Sequence, residues 1–289
     1  MASGITVLDG GLSTQLEKEG AQFSGVLWTG RALLDQPELV HRAHRAFVEA
    51  GADIISTASY QLSRAGFLEC GLSEQDADRA LAMSVEVAKK AVEGTSARVA
   101  ASIGPWGATL HDGSEYLGNY GKSQEFLENF HRERVAVLMT AKPDLCAVET
   151  IPEIAEARAV CGVMTEFPNM PFWISFSCSS PTQLASGEML RDAIEAIKDT
   201  PGLIAVGVNC VPPDYVSSLV GQMRSVTDLP LVVYPNKGGT WIPQSGLWEG
   251  HNEKPLASWA GEWIEAGVSL VGGCCGHDAS AIRELARSL

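Results

Sequence analysis

The stretch Leu203-Ile204-Ala205-Val206-Gly207-Val208-Asn209-Cys210 decides the fold of this chain. Its first six residues are apolar or glycine. They lack the polar alternation of a half-wetted strand, so both faces must be covered, as in parallel sheets. The run closes on two polar residues, Asn209 and Cys210, and Pro213 then opens a helical stretch reaching Thr227. Another apolar run, Leu231–Tyr234, follows at once. Strand, helix and strand in about thirty residues make one β/α unit.

That unit recurs. Apolar, β-branched runs lie at Ile5–Asp9, Asp53–Ser59, Arg98–Ile103, Leu145–Glu149, Phe172–Cys178, Leu203–Cys210, Leu231–Tyr234 and Val268–Gly273. Helical periodicity fills the intervals. Leu39, Ala43, Phe47 and Ala50 share a face behind Pro37, and Ser73 with Asp76 has the spacing of a capping box. The stripe Ala77, Leu81, Val85, Ala88 and Val92 follows that box. Further helices are expected over Ser123–Ala141, Pro152–Phe167, Ser186–Asp199, Pro213–Thr227, Pro255–Ala266 and Asp278–Leu289. Eight alternations predict an α/β chain folded as a single (β/α)8 TIM barrel, with residues 1–289 as one domain. A doubly wound open sheet shares the pattern and is the competing arrangement.

Composition bounds the function. Hydrophobic residues at 45% and charged residues at 19% describe an ordinary globular core. The 21 basic and 35 acidic residues give a net charge of −14, which argues against nucleic acid or an anionic membrane as partner. No apolar run approaches the ~18 residues of a membrane span, and the first residues carry no signal-peptide pattern. Seven cysteines, an odd number, point to a reducing compartment and a cytoplasmic location.

In a barrel the C-terminal strand ends share one face, where catalytic groups gather. Here that set is Asp9, Thr57, Glu149, Asn209, Cys210, Asn236, Cys274 and Cys275. Cys210 ends the sixth run and Gly272-Gly273-Cys274-Cys275-Gly276 ends the eighth, so three thiols can converge. Three such ligands hold a thiophilic metal and leave a fourth, tetrahedral position open. Inert buried thiols or a metal-free, redox-active cysteine pair are the other readings. Cys70, Cys146, Cys161 and Cys178 lack this context and are expected to be structural. Asp9 precedes Gly10-Gly11, placing a carboxylate beside backbone amides that could hold an amino acid's amine and carboxylate. Alternatively Asp9 caps a helix from Ser13 onward. Glu149 leaves an apolar run and needs a partner: a ligand ammonium, a salt bridge or a helix cap.

Two long connections, 104–122 and 236–253, follow strands and are expected to form binding loops over that face. The face-loop aromatics Trp28, Tyr60, Trp106, Tyr116, Tyr120, Trp241 and Trp248 could shield a reaction from water and stabilise a sulfonium or quaternary ammonium. His41 and His44 are expected on the surface of the first helix, and His277 at a helix cap. No HExxH, P-loop, GxGxxG or Ser–His–Asp signature is present.

Together these residues resemble the homocysteine S-methyltransferase family, nearly end to end. The resemblance is carried by Leu8-Asp9-Gly10-Gly11, Leu27-Trp28, Thr57-Ala58-Ser59-Tyr60-Gln61, Ser102-Ile103-Gly104-Pro105 and Asp112-Gly113-Ser114-Glu115-Tyr116. It continues through Glu149-Thr150, Gly207-Val208-Asn209-Cys210, Val233-Tyr234-Pro235-Asn236 and Gly272-Gly273-Cys274-Cys275. The resemblance implies a Zn2+ cofactor on Cys210, Cys274 and Cys275. It implies L-homocysteine held by Asp9 and Glu149 at its ammonium and by the Gly10 and Gly11 amides at its carboxylate. Trp28, Thr57, Tyr60 and Asn209 complete the expected substrate pocket. The implied reaction moves a methyl group from a sulfonium, S-methylmethionine or S-adenosylmethionine, to the homocysteine thiol; selenocysteine is the alternative acceptor. Gly276-His277 and Lys237–Pro243 depart from the family pattern, which bears on donor preference. The chain carries neither the C-terminal extension of the betaine-using branch nor folate or cobalamin modules.

Overall fold

The computed structural model describes residues 4–21, 28–242, 247–250 and 254–289; the side chains of residues 28–29, 240–242 and 247–249 lie outside that description. The eight expected runs form the strands β1 (Thr6–Val7), β2 (Ile54–Ser56), β3 (Arg98–Ile103), β4 (Leu145–Ile151), β5 (Phe172–Phe176), β6 (Leu203–Asn209), β7 (Leu231–Tyr234) and, last, Val268–Val271. A hairpin, β8 (Thr240–Ile242) and β9 (Leu247–Glu249), precedes that last strand, which is therefore β10.

All eight core strands pair in parallel, in the order β1-β10-β7-β6-β5-β4-β3-β2. The ends meet through a parallel bridge between Leu8 and Ile54 and by hydrogen bonds from Asp53 N to Val7 O (2.7 Å) and Asp9 N to Ile54 O (3.1 Å). The sheet thus closes, and the open-sheet alternative is set aside.

Helices α1 (Leu12–Lys18), α2 (Trp28–Asp35), α3 (Pro37–Ala50), α4 (Arg64–Glu69), α5 (Glu74–Val92) and α6 (Gln124–Thr140) belong to the first half of the chain. The remainder are α7 (Ile154–Met164), α8 (Leu190–Ile197), α9 (Pro213–Arg224), α10 (Ala257–Glu265) and α11 (Ala279–Ser288). The capping box at Ser73 and Asp76 forms as the spacing implies. α8 starts later than expected, because residues ahead of it pair as bridges Cys178↔Leu184 and Gln183↔Met189. The two long connections also carry structure. The first holds 3-10 turns at Trp106–Leu110 and Ser114–Tyr116, and the second holds the β8–β9 hairpin.

The core has two layers. One lies between strands and helices; the other fills the barrel with Leu8, Ile54, Ala100, Leu145, Ala147, Trp173, Ala205, Val232 and Tyr234. Trp173 is the bulkiest of these and is fully buried, and its register partners on both adjacent strands, Ala147 and Ala205, are alanines. One indole occupies space that larger neighbours would otherwise contest. Cys146 and Cys161 are buried, and Cys70 and Cys178 pack against the core, as structural thiols do. His44 corrects an expectation: it is fully buried on α3, and burial, then the charge of His41, depresses it to about 3.

Candidate active site

The three thiols do converge. The sulfurs of Cys210, Cys274 and Cys275 lie within 4.8 Å of one another, with Cys210 Sγ 3.6 Å from Cys275 Sγ. All seven cysteines are free. Hydrogen bonds from Cys210 and Cys274 hold the Cys275 thiol well below its usual range, while those same contacts and burial push Cys274 up. Such a cluster concentrates negative charge on one sulfur and calls for a cation. Cys210 takes its position from a left-handed backbone, φ 51°, directly after β6.

Gly10 and Gly11 bring the β1 end against the cysteine turn. A Cβ on Gly10 would stand 2.3 Å from His277 O, and one on Gly11 2.7 Å from Cys274 O. Only glycine permits that approach. Gly11 N donates to His277 O at 2.8 Å and Gly273 N to Asp9 O at 3.0 Å. The Gly11 amide is therefore committed to the fold, which corrects the expectation that it holds a substrate carboxylate. His277 is buried, and the cap of α11 is Asp278, which accepts from Ser280 N and Ala281 N.

Asp9 does not cap α1: its Oδ2 accepts from Ser56 N at 2.7 Å, across the closure between β1 and β2. Burial, with Glu149 adding, raises its carboxyl well above the ordinary range. Glu149 accepts from Ser102 Oγ on β3, and burial pushes its carboxyl up to about 7 against hydrogen bonds from Ser102 and Tyr234. Two buried carboxylates that raise each other's cost of ionisation are built to receive a cation.

Asn209 is fully buried, and its amide is spent on the protein. Its Oδ1 accepts from Thr150 N (2.7 Å) and Ser175 Oγ (2.8 Å), and its Nδ2 donates to Thr150 Oγ1 (2.8 Å). Thr150 has φ 61°, costly for a β-branched residue, at the point where the β4–β5 register shifts. The amide thus secures the kink that follows Glu149, a positioning role beyond the substrate contact expected of Asn209. Thr57 is similar. Its Oγ1 accepts from Ser102 N (2.9 Å) and lies 2.7 Å from Ser59 Oγ, which donates to Ser102 O. It joins the β2 and β3 ends.

Tyr60 reaches the mouth, where its phenol is hydrogen-bonded to the Thr150 side chain. Its carbonyl, with those of Ser59 and Gly104, is gripped by the buried guanidinium of Arg134 on α6 at 2.8–3.2 Å. Behind it, Glu156 on α7 accepts from Trp106 N (2.6 Å) and pairs with His131 (3.0 Å). Sequence reasoning missed this clamp. Its signal was two polar residues, His131 and Arg134, on the apolar stripe of α6 with Leu127, Val135 and Leu138.

Sequence reasoning placed Tyr116 among the shielding aromatics but missed its contact with Cys210 and any role for Glu115; both ride the 3-10 turn in the first long loop. Tyr116 Oη lies 3.3 Å from Cys210 Sγ, and burial raises the phenol well above its ordinary range, so it stays protonated and can donate to that sulfur. Trp106 and Tyr120 instead pack edge-on against each other at 5.0 Å, with Phe126 beyond, on the outer side of the loop. The side chains of Trp28, Trp241 and Trp248 lie outside the described residues.

A sequence model of the homocysteine S-methyltransferase family matches residues 6–289. The chain belongs to that family. Among its relatives, homocysteine S-methyltransferase 2 of Zea mays is 39% identical, the match covering 100% of this chain and 91% of that protein. A homocysteine S-methyltransferase of Bacillus subtilis is 37% identical over 98% of this chain and 93% of its own. The selenocysteine Se-methyltransferase of Brassica oleracea is 38% identical, covering 99% and 89%. Among solved structures, the metallated homocysteine methyltransferase MmuM of Escherichia coli superposes with a TM-score of 0.90 at 36% identity, covering 100% of this chain and 97% of that one. Membership of the homocysteine S-methyltransferase family thus spans the whole barrel and every thiol of the cluster.

Proposed function

We propose that this chain is a zinc-dependent methyltransferase carrying a methyl group from a sulfonium donor, S-methylmethionine or S-adenosylmethionine, to the thiol of L-homocysteine, giving methionine. The observation that carries the reading is the meeting of Cys210, Cys274 and Cys275 beside two buried carboxylates. The donor set suits zinc. Thiolates of a tetrahedral site about 2.3 Å from the ion stand about 3.8 Å apart, close to the 3.6 Å between Cys210 and Cys275. Zinc held there would supply the Lewis acid that keeps an incoming thiol deprotonated at neutral pH.

The rest is the work of the chain. Asp9 and Glu149 take the substrate ammonium, which repays the cost of ionising them in a buried place. That fixes the amino acid so that its sulfur points toward the cysteines. Tyr60 and Tyr116 wall the mouth and keep water from the sulfonium. No proton of the methyl moves, so alignment suffices and no general base is required. The selenocysteine-named relative supports a selenol as a second acceptor.

Cys274→Ala tests this directly. The variant is expected to lose bound zinc, read by elemental analysis, together with methionine formation from homocysteine and S-methylmethionine. Full turnover in a verified metal-free variant would sink the zinc mechanism. The free thiols need a reducing compartment, which supports a cytoplasmic location.

A further inference from the structure

Glu115 is a buried carboxylate to which the functions above give no role. It lies in the 3-10 turn Ser114–Tyr116 of the loop over the barrel mouth and is 7% exposed. The turn is anchored on both sides. Tyr116 reaches Cys210, and Ser177 Oγ, just beyond β5, donates to the Glu115 carbonyl at 2.9 Å. The carboxylate is held only by its own backbone amide: its Oε2 is buried and has no hydrogen-bond partner, and no basic side chain pairs with it among the described residues. The adjacent Tyr116 lies 3.3 Å from Cys210 Sγ, so the turn that carries Glu115 sits beside the thiols, where its charge acts on Cys210, Cys275 and Tyr60. A structural glutamate buried this deeply would show its partner.

The charge balance identifies the missing partner. Three thiolates around a dication carry one net negative charge, and the acceptor sulfur adds another. Asp9 and Glu149 have the acceptor's ammonium. A further carboxylate beside that centre is tolerable only when something cationic enters. We infer that Glu115 is the counter-ion of the methyl donor, its free oxygen taking the donor's positive charge between Tyr60 and Tyr116. This rests on the methyl-transfer reading above and adds a residue that selects the donor by charge. It also favours release, because the donor sulfur becomes neutral once its methyl has left and loses this attraction.

The test compares S-methylmethionine with methionine, which have the same skeleton and differ in the sulfonium methyl. Both are titrated by calorimetry into zinc-loaded wild type and Glu115→Gln, without homocysteine, so that nothing turns over. Contacts to the amino-acid end cancel in the ratio of the two affinities. Wild type is expected to prefer the sulfonium, and Glu115→Gln to reduce that preference about tenfold with zinc content unchanged. An unchanged ratio overturns the inference. Thermal melting of the ligand-free proteins at pH 8 provides a second readout. Neutralising an unpartnered buried carboxylate is expected to raise Tm; a lower Tm, or a variant that does not fold, means a structural partner and overturns the inference. A wild type that methylates homocysteine with neither sulfonium sinks the underlying reading; an active wild type with an unaltered ratio in the variant sinks only this one.

Discussion

Replacing Asn209 by alanine is expected to be among the costliest single changes near the site, on structural grounds alone. Asn209 makes hydrogen bonds of 2.7 and 2.8 Å to Thr150 and of 2.8 Å to Ser175, all buried. Without it the Thr150 amide is an orphan donor, worth about 1–3 kcal/mol, and two side-chain bonds of about 1 kcal/mol each are lost. Thr150 has φ 61°, and roughly 1–2 kcal/mol of left-handed strain is no longer offset, so the kink can relax. The loss should total about 3–5 kcal/mol, or roughly 5–8 °C in Tm for a chain of this size. Thr150→Gly removes the side-chain bonds to Asn209 and Tyr60 but relieves the strain, and should stay within about 1 kcal/mol of wild type. The assay is thermal melting of metal-stripped proteins, so that metal binding does not enter the comparison. An Asn209→Ala protein melting within about 2 °C of wild type would refute the clasp.

Three other outcomes follow from the same geometry. Glu149 has an ordinary value of 4.5 and is raised to about 7 in the fold. Between those values the folded state binds more protons than the unfolded one, so stability of the ligand-free protein should fall as pH rises from 4.5 to 7, by on the order of 3 kcal/mol, and then level off. Asp9 contributes with the same sign, and Glu149→Gln should flatten the slope in denaturation measured across that range. Arg134→Lys keeps the charge but cannot span the carbonyls of Ser59, Tyr60 and Gly104. It should raise the donor KM about tenfold while zinc content holds, a split that steady-state kinetics and elemental analysis resolve. Gly207→Ala would place a Cβ 1.7 Å from Val232 O across the β6–β7 ladder, a clash with backbone. The cost should exceed about 4 kcal/mol, seen as loss of soluble protein.

Much of the fold was legible because parallel strands buried on both faces leave a local mark, and all eight runs fell where strands form. The cysteine cluster was legible because strand ends of one barrel face one way, so Cys210, Cys274 and Cys275 had to share a side. The Gly11 amide was misread, and the strand-joining bonds of Asn209 and Thr57 were not foreseen. A polar group at a strand end looks the same in sequence whether it meets a ligand or a neighbouring strand. His44 was misplaced because its helix face depends on what packs there, which one helix does not reveal.

By itself, then, the sequence determined the β/α order, the cysteines that cluster and the acidic residues at the first and fourth strand ends. These follow from short-range periodicity and from residue chemistry. Only the tertiary structure decided that the sheet closes through Leu8 and Ile54 and that Asn209 holds Thr150. It alone showed that Arg134 carries Tyr60 and that Glu115 Oε2 is buried without a partner. Those facts depend on which donor meets which acceptor across distant strands, and that pairing exists only once the barrel has closed.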